Sequence, residues 1–349
     1  MKFEEILICL DMHGCPNRCR HCWLGTTPNG NMPVSELAFA AEEFRPFTEG
    51  LQVYDWYREP DYPENYQELF AVCSRLSDRP GEHFELASFW RLVRDREYGK
   101  WLSSLGLKVV QLTLFGTAET TDFYVGRKGA YREILEAMDI LIENKISPRI
   151  QVFVNRNNIG ELGHIENLIR ERELEGRCRA FGGAFSCFLH QGSCDGENEK
   201  WYDAWITQED LEKIPPFLEA HTLRHFGKET LTDVFGRTEQ ALYEELVADS
   251  STASYVSQSP VFYIDKDFNV YPNISTPAPH WCLGNLKRDG AGAVLENYAE
   301  SRSTAQHTRL TVPLCEIVKA RGDRTGRGLF SREDYIELML NRYCREMGK

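Results

Sequence analysis

The sequence lacks several features that mark whole classes of protein. No apolar run approaches the roughly 20 residues needed to cross a bilayer, and the first five residues, MKFEE, lack the basic start and apolar core of a signal peptide. Positive charge is also scarce, since 40 Lys and Arg against 53 Asp and Glu give a net charge of -13. We therefore expect a cytoplasmic protein without a membrane or nucleic-acid partner, because most of its surface repels a polyanion.

Cysteine, in contrast, is abundant. The 349 residues include eleven cysteines, an odd number in a chain without a secretion signal. A disulfide framework is not expected under those conditions, so metal or redox chemistry is the better interpretation of some of these thiols. The length predicts one large domain with an appendage, or two domains.

The first two thirds of the chain alternate between strand and helix patterns. Predicted strands lie at 5–11, 51–56, 83–88, 108–114, 150–154 and within 179–189, and each is followed by a predicted helix, the last at 208–220. Six such units indicate an α/β fold with a parallel sheet, either a partial barrel or an open doubly wound sheet. In both folds ligands bind at the carboxyl ends of the strands.

The pattern changes after about residue 250. The segment PVFYIDKDFNVYP predicts a hairpin whose turn spans Asp265 to Asn269. A final helix is predicted over REDYIELMLNRYCREM, close to the end of the chain.

Three cysteines follow the first predicted strand in HGCPNRCRHCWL. Their spacing is C-x3-C-x2-C, one ligand short of a tetrahedral zinc site, which Cys9 or His13 would have to complete. A [4Fe-4S] cluster uses three thiolates differently, because its fourth iron is left open to a substrate or cofactor.

This loop resembles that of the radical S-adenosylmethionine (SAM) enzymes, which place the same motif after the first strand of a partial barrel. The resemblance implies that Cys15, Cys19 and Cys22 hold one [4Fe-4S] cluster and that SAM binds its open iron. It places His21 beside the adenine. It also implies reductive cleavage of SAM to a 5'-deoxyadenosyl radical, with an electron donor of the flavodoxin or ferredoxin type.

Other strand ends resemble SAM-binding motifs of this family. The segment YREP, residues 57–60, keeps the glutamate and proline of a Gly-Gly-Glu-Pro type motif. Glu59 is therefore the candidate contact of the SAM ammonium group. The alternative is that Glu59 is a surface glutamate without such a role. Thr113 stands where the SPASM and twitch subgroup has a serine, and Asn155 ends the fifth predicted strand. Both are expected near SAM, although each could instead cap its own loop.

The C-terminal part resembles a SPASM or twitch domain without its metal ligands. In DFNVYPN, Phe268 replaces a glycine and Asn273 replaces the cysteine that holds an auxiliary cluster. The full expectation is a partial (β/α)6 TIM-like barrel over 1–225 and an α+β SPASM/twitch-like extension over 226–349. The other cysteines form no tight ligand motif, so a second metal site is not expected from Cys178, Cys187, Cys194, Cys282, Cys315 and Cys344.

With one cluster, the expected chemistry is redox-neutral: epimerisation, rearrangement or bond cleavage of a small polar metabolite, an amino-sugar or a peptide. Cys282 is the candidate hydrogen donor, with a plain buried cysteine as the alternative. The short segment before the first strand favours a small molecule over a leader-bearing peptide. His190 and Gln191 are expected near the cavity or in a loop. The alternatives are a SPASM-type peptide maturase and a non-catalytic zinc or iron-sulfur protein.

Overall fold

The alternation of strand and helix is present in a computed structural model of the chain, which describes residues 2–25, 29–55, 58–79, 81–272 and 277–347. The strands are β1 (Phe3–Leu10), β2 (Thr48–Tyr54), β3 (Val109–Leu114), β4 (Ser147–Phe153), β5 (Ser186–His190), β6 (Arg237–Thr238), β7 (Val261–Ile264), β8 (Asn269–Pro272), β9 (Gly284–Asn285) and β10 (Leu329–Phe330).

The helices of the first half lie between successive strands, as barrel connections require. They are α1 (Ser35–Phe44), α2 (Tyr66–Leu76), α3 (Phe89–Arg94), α4 (Arg96–Ser104), α5 (Ala118–Val125), α6 (Ala130–Glu143), α7 (Leu162–Glu171) and α8 (Leu174–Ala180). Those of the second half are α9 (Pro216–Phe226), α10 (Leu231–Phe235), α11 (Glu239–Leu246), α12 (Leu286–Ala299), α13 (Thr304–Thr311), α14 (Leu314–Arg321) and α15 (Arg332–Met347). None of the helices described is long and apolar enough to span a membrane.

Parallel pairing of neighbouring strands confirms the α/β fold and the partial barrel. β1 pairs with β2, β3 with β4 and β4 with β5, all in parallel. Each pairing joins strands that follow one another along the chain, whereas a doubly wound sheet reverses its strand order. The barrel is therefore the correct alternative of the two.

The third predicted strand is much shorter than expected. Between 83 and 88 only Leu86 pairs with β3, through a parallel bridge to Gln111. Ser88 is already the N-cap of α3, where its side chain accepts a hydrogen bond from the backbone N–H of Arg91. The predicted helix over 208–220 is also wrong: a 3-10 turn at Gln208–Lys213 and α9 replace it, because the prolines at 215 and 216 disfavour helical backbone before them.

The C-terminal hairpin is confirmed, and it joins the barrel sheet. β7 and β8 pair antiparallel around the predicted turn, while β7 also pairs in parallel with the free edge of β1. Phe268 adopts φ +66°, the left-handed conformation that glycine adopts most easily. The paired strands β1 and β7 lie on opposite sides of the predicted domain boundary at residue 225. That boundary stays a prediction.

Alternation along β3 separates the core from the barrel interior. Val110, Leu112 and Leu114 are buried in the hydrophobic core that includes the helices α5 and α6. Gln111 and Thr113 are only half-buried and point to the opposite side. The interior of this barrel is thus polar along β3.

Candidate functional site

A cavity of about 230 Å³ lies at the carboxyl ends of the first strands. The three cysteines of the predicted cluster loop line it, together with other candidate residues from the sequence. These lining residues are Cys15, Cys19, His21, Cys22, Glu59 and Thr113. The fold therefore brings together in one place six of the eight site residues predicted from the sequence.

The cysteine loop begins with a turn that requires glycine. Gly14 has φ +86°, and a Cβ atom there would lie 2.3 Å from Oδ1 of Asn29. That close approach lets Asn29 accept a hydrogen bond from the backbone N–H of Cys15 (3.1 Å) and donate one to its carbonyl oxygen (3.0 Å). The backbone of the first cysteine is held by one amide side chain.

Asp11 joins the loop to three strands of the sheet. It follows β1, and its carboxylate accepts hydrogen bonds from the backbone N–H of Gly14 (3.2 Å) and the hydroxyl of Tyr263 on β7 (2.9 Å). The guanidinium of Arg58, beyond β2, lies 2.8 Å away, and both charged side chains are about 5% exposed. A buried ion pair of this kind fixes geometry because either charge alone would be costly.

The far side of the loop rests on the end of α5. The backbone N–H groups of Arg18 and Arg20 donate to the carbonyls of Val125 (3.1 Å) and Tyr124 (2.7 Å). Gly126 ends the helix with φ +70°, and a Cβ atom there would lie 2.3 Å from the carbonyl oxygen of Arg18. Only glycine permits this approach without a shift of the loop.

The three thiols fit a cluster better than a single ion. All are free cysteines, and burial raises the pKa of each, with the Glu59 charge adding to the effect at Cys15. Thiolates in such surroundings need a metal to balance their charge. Within the described ranges no three His, Cys, Asp or Glu side chains are grouped so as to hold one metal ion, whereas a four-iron cluster accepts thiolates that are farther apart.

Glu59 places a buried carboxyl group beside the first cysteine. Its Oε2 lies 3.7 Å from Sγ of Cys15, and its buried Oε1 has no hydrogen-bond partner among the described residues. Burial raises the pKa of this carboxyl to about 7. A carboxylate oxygen without a partner, in a cavity wall, fits the ammonium group that the resemblance assigns to it.

His21 lies between two phenylalanine rings. Its ring centre is 4.7 Å from those of Phe115 and Phe153. Burial, followed by the influence of His190, lowers the pKa of His21 to about 3, so the imidazole is neutral. Its buried Nδ1 has no hydrogen-bond partner in the part of the chain described. A neutral, aromatic wall with one open polar atom fits a flat nucleobase.

Thr113 connects the cavity to a row of polar side chains inside the barrel. Its hydroxyl lies 3.3 Å from Oε1 of Gln151, which also accepts from Gln111 (2.9 Å). Gln151 in turn contacts Nδ1 of His190 at 3.0 Å. Burial lowers the pKa of His190 to about 4, so these four side chains on β3, β4 and β5 are uncharged. The Arg149 guanidinium donates to Oε1 of Gln111 (3.2 Å).

Two predicted site residues lie elsewhere. Asn155 is buried, donates to the hydroxyl of Tyr124 (2.7 Å) and accepts from the N–H of Asn157 (2.9 Å). The contact with Asn157 is the one expected if Asn155 caps its own loop. Cys282 does not line the cavity, and its thiol contacts the carbonyl of Gly284 at 3.7 Å. The roles proposed for them stay predictions, and Asn273 lies outside the described residues.

The remaining cysteines and one predicted neighbour are separated from the cavity. Gln191 donates to the carbonyl of Leu329 (2.7 Å) rather than facing the site. The other cysteines are distributed over different parts of the fold. Cys178 and Cys187 lie in the barrel core, Cys9, Cys194 and Cys344 lie in the C-terminal core, Cys73 lies in the core beside β1 and β2, and Cys315 is half-buried.

Sequence reasoning missed the residues that hold the loop. Asp11 has a weak signal, since an acid directly after a buried strand is unusual for a core position. Asn29 has none, because its partner is 14 residues away and no pattern links the two. Phe115 and Phe153 follow or end predicted strands, but nothing in their spacing indicates that they enclose His21.

Comparison with known proteins agrees with this geometry. A family model described as the radical SAM superfamily matches residues 10–167. Fe-coproporphyrin III synthase of Methanosarcina barkeri (strain Fusaro / DSM 804) is 25% identical over 174 residues, which is 47% of this chain and 40% of that relative. The chain thus matches less than half of the curated relative's length.

Solved structures share the fold over the whole chain. Native anSMEcpe with bound AdoMet superposes with a TM-score of 0.54 at 16% identity, covering 98% of this chain and 97% of that one. The same protein with bound AdoMet and the Kp18Cys peptide gives 0.54 at 15% identity, covering 99% of both chains. The family match includes all three loop cysteines, Glu59 and Thr113. Residues 10–167 are therefore similar in sequence to the radical SAM superfamily, and these findings support an enzyme that uses a [4Fe-4S] cluster to cleave SAM reductively.

Proposed function

We propose that this enzyme abstracts a hydrogen atom from an uncharged polar group of its substrate, bound inside the barrel, and that the outcome is redox-neutral. The observation that carries the proposal is the polar row of Gln111, Thr113, Gln151 and His190, which begins at the cavity and follows the barrel interior. Amide and imidazole groups favour hydroxyl, amide or amino-sugar partners over apolar ones.

The cluster and SAM have clear candidate partners in this chain. When bound, they supply a 5'-deoxyadenosyl radical, and the protein supplies position and exclusion of water. We assign Cys15, Cys19 and Cys22 to the cluster, Glu59 to the ammonium group and His21, with its two phenylalanine neighbours, to the adenine. Thr113 lies where the cofactor cavity meets the polar row, so it would contact both ligands.

The redox-neutral outcome is supported by the scattered cysteines. A net dehydrogenation needs an electron acceptor near the substrate radical, and the described cysteines outside the loop are distributed over different parts of the fold. The substrate radical would instead recover a hydrogen atom. Cys282 stays our candidate donor; the resulting thiyl radical would then be reduced by one electron and one proton from the external carrier.

Anaerobic reconstitution with iron and sulfide tests the enzyme class. The brown protein, reduced with dithionite, should convert SAM to 5'-deoxyadenosine, as measured by liquid chromatography and mass spectrometry. Cys19→Ser should abolish this conversion, whereas Cys315→Ser, a half-buried cysteine away from the cavity, should leave it unchanged. About one zinc per chain without inorganic sulfide would overturn the proposal in favour of a structural metal site.

The donor role is tested separately. Cys282→Ala should keep SAM cleavage while it abolishes or diverts the product. An unchanged yield of the same product would remove Cys282 from the mechanism.

A second candidate is peptide modification. It is favoured by the structural likeness to anSMEcpe, which was solved with a bound Kp18Cys peptide. Stimulation of 5'-deoxyadenosine formation by short peptides, and not by amino-sugars or small polyols, would decide for this candidate.

A further inference from the structure

The outer face of the cysteine loop carries a group of exposed cations. Arg18 and Arg20, on either side of Cys19, are both exposed, as is Lys128, two residues beyond the glycine that contacts the loop. No carboxylate of the described residues forms an ion pair with any of the three. In a chain of net charge -13, three cations without acidic partners are concentrated beside a cluster ligand.

Exposed aromatic surface lies within this group of cations. Phe123 is 46% exposed, which is unusual for so large an apolar side chain. The guanidinium of Arg20 lies 4.3 Å from its ring centre, and the ring of Trp201 lies 6.0 Å from it. The indole N–H of Trp201 donates to the carbonyl of Arg20 (2.6 Å), so the aromatic groups are fixed to the loop itself.

The nearby acids bind groups other than these three cations. Asp122, on α5, accepts hydrogen bonds from the backbone N–H groups of Gly129 (2.5 Å) and Tyr131 (2.8 Å). Glu197 is paired with Lys200 at 2.6 Å. We define the loop patch as Arg18, Arg20, Phe123, Lys128 and Trp201.

We propose that the loop patch is the docking surface for an acidic one-electron carrier protein. The inference rests on the proposed function, since only a reducible cluster needs such a partner. An acidic carrier would be repelled by most of this molecule and attracted at the loop patch, which orients the encounter. Aromatic and arginine side chains are the residues that most often stabilise such interfaces. Arg18 also donates to the carbonyl of Cys15 (3.0 Å), so the patch lies directly against the cluster ligands.

The test measures binding separately from catalysis. The reconstituted protein is titrated with an oxidised flavodoxin by calorimetry at several salt concentrations, and SAM cleavage is measured with reduced flavodoxin and with dithionite. Arg20→Glu should raise the Kd for flavodoxin at least about tenfold at low salt and should slow only the flavodoxin-driven reaction. Arg20→Met, which keeps the aliphatic stem, should give a smaller effect in the same direction.

Lys319→Glu is the matched control, because it changes the net charge equally at an exposed position on α14. An equal loss of flavodoxin binding in Lys319→Glu, or an unchanged Kd in Arg20→Glu, would overturn the docking proposal. Loss of the dithionite-driven reaction in Arg20→Glu would also count against it, since a docking residue leaves cleavage by a small reductant intact. If the unmodified protein cleaves no SAM with dithionite, the proposed function fails, whereas the Kd values still test the surface.

Discussion

The ion pair of Asp11 and Arg58 gives the sharpest test of how the site is held. Asp11→Asn keeps the size of the side chain and removes the charge that lies 2.8 Å from the Arg58 guanidinium, with both groups about 95% buried. Removing one member of a buried pair costs about 3–5 kcal/mol. For a chain of this size, each kcal/mol lost from the free energy of unfolding lowers the thermal midpoint by about 2 °C. We therefore expect the midpoint of Asp11→Asn to fall by about 6–10 °C.

The assay is thermal unfolding of the reconstituted protein, followed anaerobically by circular dichroism. Glu97→Gln is the matched control, because its ion pair with Lys100 is more than 60% exposed on both sides and should contribute at most about 1 kcal/mol. The double variant Asp11→Asn/Arg58→Met removes both charges and should be about 1–2 kcal/mol more stable than Asp11→Asn alone.

A midpoint for Asp11→Asn within about 2 °C of the unmodified protein would refute this reasoning. The reasoning would also be refuted if the double variant were less stable than Asp11→Asn by as much as Arg58→Met alone destabilises the unmodified protein. Either result would mean that the carboxylate does not compensate the buried guanidinium.

Three further predictions concern the loop and its surroundings. Glu59→Gln should raise the Kd for SAM in equilibrium dialysis by about 10- to 100-fold, because a charged hydrogen bond is worth about 1.5–3 kcal/mol. Gly126→Ala should lower the iron content per chain, since its Cβ atom would lie 2.3 Å from a loop carbonyl. Burial disfavours the charged form of His83, but the Asp61 carboxylate 2.8 Å away outweighs it and raises the pKa. Burial, followed by the Asp61 charge, raises the pKa of Asp55 to about 7. Groups with raised pKa stabilise the fold at low pH and lose that contribution as pH increases. The unfolding midpoint should therefore fall between about pH 4 and 7 because of Asp55, and it should fall further above about pH 6.5 because of His83.

Each of these predictions has a control. Glu64→Gln changes an exposed acid and should not affect SAM binding. Gly129→Ala places a side chain at φ +84° with no atom within 4 Å, so it reproduces the backbone strain without the collision and should keep its iron. His83→Asn should make the unfolding midpoint less dependent on pH, and an unchanged slope would contradict the role of the pair.

Residues whose chemistry depends on local spacing were predictable. The cysteines lie within eight residues of one another and directly follow a buried strand, so the motif and its position could be read together. Glu59 was predictable for the same reason, as an acid at the end of the second strand. Both placements follow from the rule that parallel strands present their carboxyl ends at one edge.

Residues whose function depends on distant partners were not predictable. Asn29, Asp11 and the polar row acquire their roles only when strands far apart in sequence come together. Asn155 was expected near SAM because it ends a strand, but its amide is occupied by Tyr124 and by its own loop. The third strand illustrates the same limit, because an N-cap at Ser88 competes with sheet pairing there.

The parallel pairing of β1 with β7 also determines when the site can form during synthesis. Leu7 pairs with Val261, about 250 residues later in the chain, and the Tyr263 hydroxyl that contacts Asp11 lies on the same strand. At about 5–20 residues per second, a ribosome needs about 12–50 s to synthesise the intervening chain. During that time the three thiols have emerged without their full support, and the edge of β1 lacks its second neighbour. Cluster insertion is therefore expected to follow completion of the hairpin, and an oxidant present earlier in translation would encounter the cysteines unprotected.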